Sequence, residues 1–385
     1  MKKHTLSHKR LGDYISEVDV RNRDLSVTTL LGVSISKEFI PSIANTIGTD
    51  MSTYKIVRKG QFAYGPVTSR NGDKVSIALL ANEDDAIISQ AYTVFEVKDT
   101  NELLPKYLMM WFRRPEFDRY ARFHSHGSAR EIFDWSEMCD VMLPIPSIER
   151  QREIVAEYET LSKRIHLNEQ MISTLEATAQ TLYRKMFVDG IDKENLPAGW
   201  RMGRISDFGE VITGKTPSTL DNSNFGDYMP FVTIPDMHNG FYVIKTERRL
   251  SKKGVTMQSN KTVPQNSVCV SCIGTSGLVV VTPEECQTNQ QINTIVPYNK
   301  YALEYIYLTC CGLEKIIAEY GIGAAVLNNM NKSEFENLYI VLPCNNEIQR
   351  FHELVSPCFS TIYLKQKENE KLTELQSLLL AKMGQ

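Results

Sequence analysis

Two stretches of this chain, about 197 residues apart, carry the same pattern, so whatever it folds into must be built twice. Arg10-Leu-Gly-Asp-Tyr14 matches Arg204-Ile-Ser-Asp-Phe208 at an offset of 194. Ser136-Glu137 matches Ser333-Glu334, and Ile145-Pro146 matches Leu342-Pro343, both at 197. Glu149 and Gln151 match Glu347 and Gln349 at 198, and Leu175, Lys185 and Met186 match Leu372, Lys382 and Met383 at 197. Charge repeats as well. Residues 1–75 carry +5 and 76–148 carry −5; residues 201–262 carry +3 and 263–346 carry −4; the stretches 149–187 and 347–385 are neutral. The order is basic, acidic, neutral helix, twice over.

The ends of the copies are the most alike, and both read as long helices. In the first, Ile154, Tyr158, Leu161, Ile165, Asn168, Ile172, Leu175, Ala179, Leu182 and Met186 recur in steps of four and three, the seam of a coiled coil with one polar layer at Asn168. Pro144 and Pro146 precede it, and Gly190, Pro197 and Gly199 follow. Adding 197 gives the second seam: Phe351, Val355, Cys358, Ile362, Lys365, Asn369, Leu372, Gln376, Leu379 and Met383. Pro357 is expected to kink or restart that helix. If the two helices pair antiparallel about a pseudo-two-fold axis, Ile154 faces Met383 and Asn168 faces Asn369. The alternative is that each helix packs on a globular core.

The remainder is mixed. Ala86–Val97, Ser267–Ile273 and Gly277–Thr282 are β-rich, while Leu104–Tyr120 and Ala302–Tyr320 read as matching helices. The expected fold is therefore α/β (α+β): two tandem pseudo-repeated domains, each followed by a long helix, the helices pairing antiparallel as a coiled coil. The boundaries are 1–148, a helix over 149–187, 188–346, and a helix over 347–385.

Catalytic motifs are few. Gly209-Glu-Val-Ile-Thr-Gly214-Lys215-Thr216 matches the nucleotide-binding P-loop letter for letter, yet a P-loop needs a buried strand before it and a helix after it. Here a poor strand precedes it and Pro-Ser-Thr-Leu-Asp-Asn-Ser-Asn follows. Cys269-Val-Ser-Cys272, with Cys286, Cys310 and Cys311 downstream, has the look of half a zinc site, but in a strand residues three apart point to opposite faces. The first copy holds only Cys139, so buried thiols are expected rather than a metal. His124 and His126 lie between basic residues with no acidic neighbour in sequence. No dinucleotide fingerprint, nucleophile elbow, HExxH or Asn-Pro-Pro-aromatic string is present, so the chain is expected to perform no chemistry alone. Nor does any apolar run approach a membrane span of about 18 residues, and scattered cysteines suit a reducing compartment, so the expected location is cytoplasmic.

What remains is a binder with two unlike heads and two like arms, and its residues carry a family resemblance. Leu31–Pro41, Tyr54–Pro66, Leu104–Phe112 and Gly127-Ser-Ala-Arg130 resemble the first target-recognition domain of the specificity subunits of type I restriction-modification systems. Gly214-Lys-Thr-Pro-Ser218, Asn289-Gln-Gln-Ile292 and Pro343–Gln349 resemble the second, and Ile145–Gln151 resembles the entry into the family's helix. The second copy has Gly323-Ala-Ala-Val-Leu where the first has Gly127-Ser-Ala-Arg-Glu, so Arg130 has no basic counterpart. The resemblance implies that each domain reads one half of a split double-stranded DNA site and that the helices dock two methyltransferase subunits. It also implies S-adenosylmethionine, ATP and magnesium on partner subunits, with no cofactor in this chain, and a restriction (motor-nuclease) subunit as a further partner. The seam from Ile154 to Met186 spans roughly 48 Å at the α-helical rise. That exceeds the ~34–36 Å of one DNA turn, which suits half-sites separated by unread base pairs.

Phosphate-neutralising candidates lie in the basic first halves: Arg58, Lys59, Arg70, Lys74 and Arg130 in copy one, and Lys215, Arg248, Arg249, Lys252, Lys253 and Lys261 in copy two. Asn71, Asn222 and Asn224 sit in polar loops that could reach base edges. Two other classes stay open: a protein-interaction scaffold, and a nucleotide-binding enzyme using Gly209–Thr216.

Overall fold

A computed structural model of the chain describes residues 8–42, 48–69, 71–72, 74–127, 130–238, 240–319 and 330–384. Two compact units emerge, each discontinuous or cut within a helix: residues 1–164 with 372–385, and residues 165–371.

In the first unit a four-stranded antiparallel sheet runs in the order Ile15–Val18, Thr93–Val97, Phe62–Tyr64, Ile77–Leu79. Strand periodicity divides its side chains between two cores. Phe62, Tyr64, Ile77 and Phe95 enter one cluster, while Ala63, Ala78 and Val94 enter another. Against the first cluster lie α1 (Pro105–Phe112), α2 (Pro115–Phe123) and α3 (Trp135–Cys139). The single helix expected over Leu104–Tyr120 is thus two. Pro115, lacking an N–H and clashing with the preceding turn, cannot continue α1 but is well suited to open α2. Lys37 holds the junction: its buried ammonium donates to the Phe112 carbonyl at the end of α1 and sits 2.7 Å from Asp118 of α2. The chain then enters α4 (Ile148–Phe187), a helix of 40 residues.

The second unit contains two four-stranded sheets. One runs Gly209–Thr213, Ile292–Pro297, Val268–Ser271, Val279–Val281; the other runs Arg248–Leu250, Phe225–Val232, Cys286–Thr288, Thr262–Val263. Its helices are α5 (Ile234–Met237), α6 (Lys252–Met257), α7 (Leu303–Gly312), α8 (Glu314–Glu319), α9 (Lys332–Glu336) and α10 (Asn345–Lys382). Here too the expected helix over 302–320 divides, at Leu313, and Tyr320 lies outside the described residues. The helix α10 runs unbroken through Pro357. One backbone bond, to the Glu353 carbonyl, is forfeited, while Phe351, Val355, Phe359 and Ile362 around it are all buried in the core and hold the helix together.

The duplication is visible in matched anchors. Arg10 donates to Asp140 at 2.7 Å in the first copy, and Arg204 donates to Asn337 at 2.7 Å in the second. Asp134 caps α3 and Asn331 caps α9, each accepting a backbone N–H at 3.0 Å. Tyr107 donates to the Pro144 carbonyl at 3.1 Å, and Tyr305 to the Val341 carbonyl at 2.7 Å. The strand His8–Arg10 pairs with Met142–Pro144 as Arg201–Arg204 pairs with Tyr339–Leu342.

Every seam position on the two long helices is buried or half-buried. In the second unit Asn168 Nδ2 donates to Asn369 Oδ1 at 2.8 Å, and Ala179 and Phe187 share a cluster with Phe351, Val355 and Ile362. Ile172, Leu175 and Leu182 pack on the same cluster. In the first unit Ile154 and Tyr158 meet Leu380 and Met383, and Gln376 donates to Ser162 Oγ at 2.7 Å. Numbers rise along α4 as they fall along α10 within each unit, so the helices are antiparallel, with Asn168 facing Asn369 as the repeat requires. Leu161, Ile165, Leu372 and Leu379 are half-buried.

Replacing Asn168 by Leu leaves the half-buried Asn369 amide without its partner and is expected to cost about 1–3 kcal/mol in a denaturant melt. The double variant Asn168→Leu/Asn369→Leu is expected to recover that stability and lose its single register. Spin labels at the exposed positions 171 and 364 would then report a broadened distance distribution; an unchanged narrow one would show that the polar layer does not set register.

Candidate nucleic-acid interface

In the second unit the site is built around α6. Leaving the strand Gly209–Thr213, the chain passes Gly214, where a Cβ would lie 2.2 Å from both the Asn289 carbonyl and Thr288 Oγ1. Only glycine allows so close a crossing. Lys215 N then donates to the Thr288 carbonyl at 2.9 Å, and a loop leads to the 3-10 turn Asn222–Asn224 and the strand Phe225–Val232. No helix follows Thr216, so Gly209–Thr216 lacks the helix N-terminus that a P-loop presents to phosphate, as its sequence led one to expect, and the nucleotide-enzyme alternative loses its geometry.

The loop is locked against α6. Ser251 caps the helix, with Gly254 N donating to its Oγ at 3.1 Å. Ser251 N donates to the Asn224 carbonyl at 3.0 Å, and a Cβ on Gly254 would meet that same carbonyl at 2.2 Å. Asn224 is consequently turned inward: 1% exposed, its Nδ2 bonded to the Ser218 carbonyl at 3.0 Å. It is a scaffold residue and not one that reaches base edges, which corrects the expectation drawn from its polar surroundings. Asn222 is exposed.

Cations and rings interleave on this surface. Arg248 lies over Phe225 at 5.8 Å and Lys252 over Tyr228 at 5.4 Å. Arg249 donates to the carbonyls of Asp227 and Tyr228, at 3.2 and 3.4 Å. Lys253 donates at 2.8 Å to both Asp221 and Ser223; that lysine, with the Ser223 hydroxyl, holds the Asp221 carboxyl down to about 2. At the far end of α6, Gln258 donates to the Lys215 carbonyl at 2.8 Å, and Lys261 N donates to the Gln258 carbonyl at 2.8 Å. All six basic candidates of copy two therefore gather round one short helix. A cleft of about 570 Å³ lies beside it, lined by Asn222, Phe225, Arg248 and Arg249 among others. Phe225 and Tyr228 escaped the reading of charge alone: their strand, Phe225–Val232, carries no cation of its own and meets Arg248 and Arg249 only by pairing with the strand Arg248–Leu250, which sets rings beside cations in a manner suited to stacking.

The first unit is arranged differently. Asn71 and Lys74 lie on the loop joining Phe62–Tyr64 to Ile77–Leu79; Arg70 lies outside the described residues. Thr68 N donates to the Glu131 carbonyl at 3.0 Å, Val75 N to Asp118 at 3.1 Å, and Arg122 to the Gly72 carbonyl at 3.1 Å. These bonds bring the loop to α2 and to exposed Arg130, adding Arg119, Arg122 and the 81%-exposed Phe123. Ser128, Ala129 and Gly323–Leu327 lie outside the described residues. Arg58 and Lys59 are not part of this group. They occupy the opposite end of the hairpin, where Arg58 stands across from Asp85 and Lys59 is 3.5 Å from Asp84. His124 and His126 also have a partner that sequence distance concealed: Glu137 of α3 lies 2.8 Å from one and 3.8 Å from the other.

Cys269 and Cys272 enter different clusters, on opposite faces of their strand. Among the described residues no group of three or more His, Cys, Asp or Glu side chains is placed to hold a metal.

A family profile described as the type I restriction modification DNA specificity domain matches residues 36–177 and again 197–374. The type I restriction enzyme HindI specificity subunit of Haemophilus influenzae is 28% identical, the match covering 86% of each chain. The MjaIX specificity subunit of Methanocaldococcus jannaschii is 24% identical over 73% of this chain and 68% of its own. In fold, the chain is similar to the S subunit of a type I restriction-modification system from M. genitalium, with a TM-score of 0.62 at 13% identity over 100% of this chain and 98% of that one.

Burial pushes the Cys269 thiol up to about 12 and the Cys272 thiol up to about 11. Neither forms thiolate near pH 8, so alkylation of the native chain by iodoacetamide is expected to spare both and to reach them only in denaturant. Rapid native labelling at Cys269, read by peptide mass spectrometry, would contradict this.

Proposed function

The chain belongs to the type I restriction modification DNA specificity family, and from that premise we propose how its two units divide the work: each reads one half of a split double-stranded DNA site. The domains would be residues 1–148 and 188–346, joined by spacer helices over 149–187 and 347–385. The observation that carries the reading is the surface round α6, which gathers Lys215, Arg248, Arg249, Lys252, Lys253 and Lys261, with Arg248 and Lys252 each over an aromatic ring and Asn222 exposed. Cations there neutralise phosphates and fix register, while Asn222 and the rings are placed for base edges and stacking. In the first unit the corresponding group is Asn71, Lys74, Arg119, Arg122 and Arg130. Because the two surfaces share a scaffold and differ in every contact residue, they should read different half-sites.

The long helices support partner docking as well as pairing. Leu167, Met171, Leu364, Leu375 and Leu378 are 45–61% exposed on helices whose seams are already satisfied. Large apolar side chains left on a solvent face mark association surfaces, and two methyltransferase subunits suit a pseudo-symmetric pair of helices. S-adenosylmethionine would then belong to those subunits, and ATP and magnesium to a restriction (motor-nuclease) subunit. This chain supplies recognition and no chemistry. Among the described residues no helix is long and apolar enough to cross a membrane, in keeping with action on cytoplasmic DNA.

Selection from a random duplex pool, with the chain co-expressed with a methyltransferase subunit, is expected to enrich a split asymmetric motif. Failure to retain DNA at any salt would favour a protein scaffold instead. Removing two phosphate contacts in Arg248→Ala/Lys252→Ala is expected to weaken binding across all sequences and to flatten the log–log salt dependence by about 1.8. Lys59→Ala, at the opposite end of the hairpin from the first unit's group, should leave that slope unchanged.

A further inference from the structure

The two copies differ in how they treat one groove, between the first helix after the sheet and the long helix. The matched hydrogen bonds of Tyr107 and Tyr305 align α1 with α7, so Met109 corresponds to Tyr307. The 197-residue offset, which also relates the caps Asp134 and Asn331, aligns Val155, Tyr158 and Ser162 of α4 with His352, Val355 and Phe359 of α10.

In the second unit the groove is filled by the chain itself. Phe241 stacks on Tyr307 at 4.0 Å and meets Phe359 edge-on at 4.5 Å; Tyr242 meets Tyr363 at 5.3 Å. The backbone of this segment is tied down, since Tyr242 N donates to Gln366 Oε1 at 2.9 Å, and Lys245 closes it with a 2.8 Å ion pair to Glu370. Phe241 is 3% exposed.

In the first unit the corresponding groove stands open. About 580 Å³ is enclosed by Met109, Tyr158 and Ser162 on its helical wall and by Phe39 and the Leu79–Glu83 segment opposite. That volume falls within the roughly 300–1,000 Å³ of sites that take a ligand. Its counterpart shows which chemistry fits: an extended segment with an aromatic side chain and, a few residues on, a cation. Charge agrees, because the lining cations Lys37, Lys106 and Arg113 are already paired with Asp118, Glu159 and Glu38, whereas exposed Glu83 at the rim has no ion pair among the described residues and can receive that cation.

We propose that this groove of the first unit docks an aromatic-bearing extended segment of a methyltransferase subunit, replacing in trans what Phe241–Lys245 supplies in cis to the second unit. The two copies would thus present unlike docking surfaces at equivalent positions. The proposal rests on the reading that methyltransferase subunits assemble on this chain.

Ala81 and Asn82 line the groove and are exposed, so Ala81→Trp and Asn82→Trp plug it without entering either core. Titration of the methyltransferase subunit onto the full chain, read by mass photometry, is expected to load two copies on wild type. Each plugged variant should weaken one of the two sites at least tenfold. A photo-crosslinker at position 81 should reach a methyltransferase peptide containing Phe, Tyr or Trp. Both plugged variants loading two copies at wild-type affinity would overturn the groove while leaving the assembly reading intact, as would crosslinks to a second copy of this chain. A wild-type chain that loads no methyltransferase would overturn the assembly reading, and the groove with it.

Discussion

A single amide pair, Asn168 to Asn369 at 2.8 Å, occupies the middle of a seam that is otherwise mostly apolar, and the rest of the fold is referred to it. Apolar layers slide past one another at little cost, whereas a buried amide in the wrong layer loses its partner and the full price of its desolvation. Once these two meet, the other layers of the second unit's seam are set. The distal end of α10 belongs to the first unit's core and that of α4 to the second's. Leu380 and Met383 complete a cluster begun by Leu11, Phe62 and Phe95, while Ala179 and Phe187 complete one begun by Ile205 and Phe208. Neither recognition unit has a finished core without the helix of the other copy.

That exchange separates what must stay alike from what can diverge. The matched anchors, Arg10–Asp140 and Arg204–Asn337, the two tyrosines and the two caps, all lie where sheet meets helix. Away from them the copies part company. The second carries α6 and its ring of cations; the first uses α2 and a loop tied to it by Arg122 and Asp118. A duplicated frame with unduplicated surfaces suits the proposed reading of two different half-sites, since surfaces that differ in every contact residue carry different sequence information.

The buried polar groups belong to the frame as well. Lys37, 5% exposed with φ of +66°, ties the last carbonyl of α1 to a carboxylate on α2, and burial lowers its pKa although Asp118 opposes the shift. Glu304, buried on α7, is matched by His352 of α10 at 2.8 Å. Both pairs join elements far apart in sequence, and neither was visible in a linear reading, where lysines and glutamates count as surface charge.

Periodicity and self-similarity are local or repeated properties, so the chain's own letters determined them: two copies, two long helices, their seams, the facing asparagines and the opposed faces of Cys269 and Cys272. Most of the basic cluster of copy two was legible for the same reason, Arg248 to Lys261 being close in sequence, whereas Lys215 joins it only in the fold. Which candidates share a surface was decided only by tertiary structure. Asn224 turned inward under α6, Arg58 and Lys59 went to the far end of a hairpin beside Asp84 and Asp85, and Glu137 came to His124. The same holds for the groove that Phe241 fills in one unit and that stands open in the other. Side-chain direction and long-range contact depend on how sheets and helices pack, and packing is a property of the whole unit that no short window of sequence contains.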